Sequence, residues 1–162
     1  RNERQKQVLF EKISKHFNGD LRGRKFGIWG LAFKPGTDDM REASSIVLIK
    51  ALVEAGATVS AYDPVALETA AKELPPEWIN DGCVTLLKYQ YDVLKSADAM
   101  VLVTEWKRFR QPDYAAMKDL MRAPIIFDGR NQYDPETLDE QGFIYYGIGR
   151  ASGKAANSTQ AQ

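Results

Sequence analysis

Apolar residues recur along this chain with two alternating periods, and the alternation predicts its elements. Residues 1–17 place Val8, Leu9, Ile13 and Phe17 at helical spacing with charges between them. Asn18-Gly19 closes that helix, Gly19 being suited to a left-handed C-terminal turn. Residues 25–31 read as an apolar strand and residues 32–39 as an irregular loop. Residues 43–56 form a helix with Ile46, Leu48, Ile49, Leu52 and Val53 on a broad apolar face, ended by Gly56. Residues 58–62 (TVSAY) are a short β-rich strand. Asp63-Pro64 then opens a helix over residues 65–74, because aspartate caps and proline is tolerated in the first turn. Pro75-Pro76 predicts a surface turn.

The same alternation continues to the end. Residues 83–87 read as a third strand and 92–96 as a short helix. Residues 99–104 (AMVLVT) are an apolar run of the buried parallel-strand kind. A helix over 112–121, a strand over 125–127, a helix over 135–141 and a strand over 143–146 complete the pattern. Strands alternating with helices at this pitch imply a parallel sheet with right-handed crossovers. Residues 151–162 (ASGKAANSTQAQ) have almost nothing to bury and are expected to be disordered.

Composition narrows the function classes. The chain has 162 residues, enough for one domain with a real core, and 44% of them are hydrophobic. Lys plus Arg and Asp plus Glu number 22 each, so no global field draws the chain to nucleic acid, and any anion site must be local. A single cysteine, Cys83, excludes an internal disulfide and fits a reducing, cytoplasmic setting. No apolar run approaches the ~18–20 residues that cross a bilayer, and no leader-like stretch opens the chain. The first residue is Arg1, in what reads as mid-helix, so a piece of a longer protein is expected.

Candidate chemistry concentrates in residues 25–42, KFGIWGLAFKPGTDDMRE. The order of strand, glycine-bearing loop, fixed cations and helix start suits an anionic nucleotide. The dinucleotide fingerprint GxGxxG is nevertheless missing, the glycines here being Gly27, Gly30 and Gly36. Gly30 either admits close backbone approach or only makes a tight turn. Asp63 stands where such folds bind a ribose, although a helix cap is the favoured role beside Pro64. Lys34 leaves the strand's carboxyl end, where an ammonium meets phosphate or a sugar hydroxyl, and Pro35 stiffens its approach. Phe33 supplies an apolar wall or packs beneath the loop. Arg41, near a positive helix end, has two explanations: a bound phosphate, or pairing with Asp39 or Glu42.

Arg130 follows the strand at 125–127 and therefore lies at the same edge as Lys34. Asp128-Gly129 by itself reads as a turn. Glu105 and Trp106 also follow a strand at this edge and either line the crevice or pack at a helix start, the second being the favoured role. No catalytic constellation is legible. His16 stands alone on a charged helix and reads as a solvated group. Cys83 reads as a small buried or turn residue, not a nucleophile. No spacing suggests a metal site.

The runs GLAFKPGTDDMREASS (residues 30–45), YDP (62–64), ADAMVLVTEW (97–106) and FDGRNQYDP (127–135) together resemble the C-terminal UDP-binding domain of the UDP-glucose/GDP-mannose dehydrogenase family. The resemblance covers residues 2–149, and the pairing of TEW with DGRN is most similar to the UDP-glucose branch. It implies a Rossmann-like, doubly wound α/β sheet of six parallel strands in the order 3-2-1-4-5-6, with an N-terminal helix. Residues 1–20 would then be the end of a central connecting helix from an upstream NAD domain, and residues 21–150 the UDP-sugar-binding domain. From composition alone, the first helix is equally an amphipathic helix covering one edge.

The implied activity is oxidation of UDP-glucose to UDP-glucuronate by two NAD+, through a cysteine-bound intermediate. The resemblance implies substrate contacts from Phe33, Lys34 and Arg130, and a contact from Arg41 to NAD held mainly by the other domain. The family's GGxCxPKD-type cysteine motif has no counterpart here, so the chain alone is expected to be inactive, with Lys34 a binding residue. A homodimer or larger assembly is expected of the full enzyme, with no membrane or nucleic-acid partner. The competing readings are a free-standing nucleotide-binding or regulatory module, an oligomerisation module, and a GDP-mannose or other nucleotide-sugar enzyme.

Overall fold

The computed structural model describes residues 2–41 and 43–149, with the side chains of the first helix from Gln7 onward. Six strands form one parallel sheet: β1 (Lys25–Trp29), β2 (Thr58–Tyr62), β3 (Val84–Leu86), β4 (Ala99–Leu102), β5 (Ile125–Asp128) and β6 (Ile144–Tyr146). Their spatial order is β3-β2-β1-β4-β5-β6, the order implied by the resemblance. The register pairs Lys25 with Thr58 and Phe26 with Ala99, so β1 is hydrogen-bonded on both sides. The predicted strands at 25–31 and 99–104 are shorter here, because the chain leaves the sheet at Gly30 and bends at Thr104.

Alternation along the strands divides the core in two. Phe26, Ile28, Val59, Ala61, Val101 and Phe127 face one side, against α1 (Asn2–His16), α2 (Ser44–Glu54) and α3 (Leu67–Glu73). Trp29, Tyr62, Met100, Leu102, Ile126 and Tyr145 face the other, against α5 (Tyr114–Leu120), α6 (Pro135–Glu140) and the 3-10 turns Asp92–Leu94 and Lys107–Phe109. Each large side chain so buried contributes about 1.5–3 kcal/mol. Helices of six or seven residues are not stable alone, so this packing holds α3, α5 and α6 in place.

Three local features differ from what the sequence predicts. Pro75-Pro76 does not end in a simple turn: Pro76 is the first residue of a short helix, α4 (Pro76–Asn80), a position where a missing N–H costs nothing. Asp63 does not cap α3, whose cap residue is Ala66. It caps the turn before α3 by accepting from the Val65 and Ala66 N–H groups, both at 2.9 Å. His16 is not solvated. Its Nδ1 lies 2.7 Å from the Tyr146 hydroxyl, and its ring meets Phe17, Phe127 and Tyr146 edge-on. Burial, with a smaller push from the Arg24 guanidinium, lowers its pKa from the ordinary 6.5. The expected tail at 151–162 lies outside the described residues.

Candidate functional site

A connection from strand to helix commonly runs about two to six residues, yet residues 30–43 separate β1 from α2. So long a loop keeps one shape only if its backbone is tied down, and its first turn is tied from several sides. Gly30, at φ +100°, donates to the Tyr62 carbonyl at 2.8 Å. A Cβ there would lie 2.4 Å from the Thr104 backbone nitrogen, so glycine is required both for its conformation and for space. Asp63, buried at 1% exposure, accepts from the Leu31 and Ala32 N–H groups at 2.7 and 3.0 Å. The Ser45 hydroxyl donates to the Leu31 carbonyl and the Thr104 hydroxyl to the Ala32 carbonyl, each at 2.7 Å.

What this anchored turn presents are the next two residues. Phe33 is 50% exposed although its N–H donates to the Asp39 carbonyl at 2.7 Å, which closes the loop. Lys34 is exposed and forms no hydrogen bond or ion pair with another described residue. Arg41 is different. Its Nε and Nη2 donate to the two Asp39 oxygens at 3.1 and 2.9 Å, and its backbone N–H donates to the same carboxylate at 2.9 Å. Of the explanations left open for Arg41, pairing with Asp39 is therefore present, while Glu42 lies outside the described residues. The Arg41 contacts, helped by the charge of Lys34, hold the Asp39 carboxyl down at about 2.

A second buried carboxylate shapes the neighbouring loop. Asp128, the fully buried last residue of β5, accepts from the Arg130 N–H at 3.0 Å, the Tyr133 N–H at 2.9 Å and the Tyr145 hydroxyl at 2.8 Å. The Asp128-Gly129 dipeptide is thus more than a turn. A Cβ on Gly129 would lie 2.9 Å from both the Leu102 carbonyl and a Leu9 methyl, so β5 can leave the sheet here only through glycine. Arg130 then reaches Glu105, with Nε–Oε1 3.0 Å and Nη2–Oε2 3.3 Å. Arg130 and Ser44, at the start of α2, line one narrow cleft at this edge together with Leu9, Leu48, Val103, Gly129 and Ile148.

The segment Thr104–Glu105–Trp106 joins the two loops, a role that helix-start packing did not anticipate. Thr104 bonds the β1 loop, Glu105 holds Arg130, and the Trp106 indole N–H points at Asp63 Oδ2 at 3.4 Å. The Trp106 carbonyl also accepts from Gln132 at 3.1 Å. None of this carries a local sequence signal, because each bond joins residues more than 20 positions apart. Phe33, Lys34 and Arg41 therefore share one loop, and Arg130 stands on another, cross-linked to it.

The opposite, amino edge is also basic, and Arg22, Arg24 and Arg122 line an open hollow of about 400 Å³ there. Asp98 accepts from the Lys25 N–H at 2.8 Å and from Arg24 at 3.4 Å, with Arg122 at 3.9 Å. Arg22 is paired with Asp20 at 3.0 Å. Cys83 lies just before β3 on this edge, half-buried, far along the strand direction from Lys34. Among the described residues no group of three or more His, Cys, Asp or Glu is placed to hold a metal, and no helix is long and apolar enough to cross a membrane.

Residues 27–135 match the family model of the UDP-glucose/GDP-mannose dehydrogenase family, UDP binding domain. The chain belongs to that family. It is 51% identical over 150 residues to a UDP-glucose 6-dehydrogenase of Pseudomonas aeruginosa, a match covering 93% of this chain and 33% of that protein. A UDP-glucose 6-dehydrogenase of Rhizobium meliloti is 38% identical, covering 92% of this chain and 32% of the relative. Among solved structures, a UDP-glucose dehydrogenase from the hyperthermophilic archaeon Pyrobaculum islandicum superposes with a TM-score of 0.73 at 30% identity. That superposition covers 92% of this chain and 30% of the other. The chain thus spans about a third of the length of the relatives it matches.

Membership in this family raises the question of NAD, and the first βα turn does not fit a dinucleotide. The acid after β2 that would meet a ribose, Asp63, has both oxygens engaged by backbone N–H groups. The close approach offered by Gly30 is taken by Thr104.

Proposed function

We propose that this chain is the UDP-sugar-binding part of a UDP-glucose 6-dehydrogenase, with the NAD-binding and thiol-bearing residues supplied by the remainder of the enzyme. One observation carries the reading: a loop fixed by buried hydrogen bonds presents Lys34, which bonds no other described residue, beside an exposed Phe33 at the carboxyl edge of a parallel sheet. Nucleotides bind at that edge in open α/β sheets. Lys34 serves as the point charge on the diphosphate, Phe33 as an apolar wall, and Arg130 as a directional donor to the UDP-sugar. Arg41 faces NAD held by the other part of the enzyme, and NAD supplies the hydride acceptor. Such an enzyme converts UDP-glucose to UDP-glucuronate and works as a homodimer or larger assembly. The lone thiol of Cys83 supports a cytoplasmic setting.

Calorimetric titration of the chain with UDP and with GDP tests this. UDP is expected to bind in preference to GDP. Lys34→Ala and Arg130→Ala should each weaken UDP by roughly ten- to a hundredfold, the loss of a charged hydrogen bond worth about 1.5–3 kcal/mol. Unchanged affinity in both variants overturns the assignment.

A further inference from the structure

We infer that Glu105 is a positioning residue that fixes the guanidinium of Arg130 so that one chosen edge meets the UDP-sugar. This rests on the reading of Arg130 as a substrate contact. Glu105 engages Arg130 side-on, through Nε and Nη2 at 3.0 and 3.3 Å. A guanidinium carries five N–H donors in a rigid plane. Side-on pairing consumes one flank and leaves the Nη1 end, with the second Nη2 proton, directed away from Glu105. No other described residue bonds that end, since the remaining Arg130 bond is made by its backbone N–H to Asp128.

Both partners are themselves held. Arg130 starts from a backbone fixed by fully buried Asp128. Glu105 follows Thr104, which is fully buried and bonded to Ala32, the residue before Phe33 and Lys34. The clamp therefore sets Arg130 in register with the loop that carries Lys34. The side chains of Arg130 and Glu105 are 39% and 36% exposed, so the pair stands at the surface where a ligand can reach it. Surface ion pairs add little to stability. Its consequence is orientation: an arginine already held in its binding rotamer loses less freedom when the ligand arrives. The carboxylate's repulsion of a diphosphate acts in the other direction, and it is least for a ligand that meets the Nη1 end, on the side away from Glu105.

The test is a double-mutant cycle of Glu105→Gln and Arg130→Ala in this chain, read by UDP calorimetry. The Arg130 Nε–H resonance in a 15N spectrum gives an independent readout. Glu105→Gln is expected to weaken UDP about three- to tenfold in the native background and to have no effect in Arg130→Ala. The Nε–H signal should exchange slowly in the native chain and collapse into the fast-exchanging arginine envelope in Glu105→Gln. Tighter UDP binding by Glu105→Gln, or an equal effect in both backgrounds, overturns the inference. An Nε–H signal that exchanges equally fast in both proteins does the same. A clamp visible in the Nε–H signal, with UDP affinity indifferent to Arg130→Ala, instead overturns the reading of Arg130 as a substrate contact and leaves the pair a structural one.

Discussion

The two edges of the sheet carry the same residue types arranged to opposite effect. At the amino edge, buried Asp98 accepts from a strand N–H and from Arg24, with Arg122 beside it, and Arg22 is paired with Asp20. Three arginines there share two carboxylates and line an open hollow. At the carboxyl edge, buried Asp63 and Asp128 accept mainly from backbone N–H groups of the loops that follow the strands. Those loops then hold Phe33, Lys34 and Arg130 outward. A buried carboxylate directed at backbone builds a platform, whereas one directed at side-chain cations gathers those cations around itself. Charge counts alone would not separate the two edges.

Removing each carboxylate should affect the two edges differently. Asp63→Ala leaves four N–H groups without their acceptor, two in the β1 loop and two before α3. We expect a loss of about 3–4 kcal/mol, roughly 10 °C in Tm, with UDP binding lost along with loop order. Asp98→Ala leaves only the Lys25 N–H without its acceptor among backbone groups, so about 1–2 kcal/mol is expected, with UDP affinity unchanged. Thermal melts with parallel UDP titrations check both. Equal loss of UDP binding in the two variants would erase the distinction between the edges.

A smaller effect sharpens it. His16, toward the amino-edge end of α1, has its pKa lowered from 6.5 by burial and by Arg24. The unfolded chain therefore binds more protons than the folded one just below that value, and stability falls as pH drops through 6.5 toward the folded pKa. Above 6.5 the contribution is fully present. Denaturant melts between pH 5 and 8 should show this slope, and His16→Phe should remove it without altering UDP affinity at pH 7.5. A slope that persists in His16→Phe assigns the proton to another group.

Much of the fold was legible in the sequence because its signals are local. Alternation in TVSAY and the helical spacing of Leu48, Ile49 and Leu52 follow directly from which face must be buried. Lys34 and Arg130 could be placed at one edge because parallel strands all end there. The rest depended on contacts distant in sequence. His16 looks solvated until Tyr146 is folded against it, 130 residues away. Glu105 looks like helix-start packing until Arg130 arrives beside it. Asp63 reads as a helix cap, yet one of its oxygens ties the turn before α3 and the other holds a loop 31 and 32 residues earlier. Pro75-Pro76 was misleading for a local reason, because a proline that ends one element can also begin a helix.

We propose that the carboxyl-edge loop is the UDP site. Amide shift mapping of the 15N-labelled chain during UDP titration tests it most directly. Saturable shifts are expected at Ala32, Phe33, Lys34, Glu105, Arg130 and Asn131, with Arg22, Gly23, Arg24 and Arg122 unmoved. Shifts centred on the amino-edge arginines, or none that saturate at millimolar UDP, would contradict it.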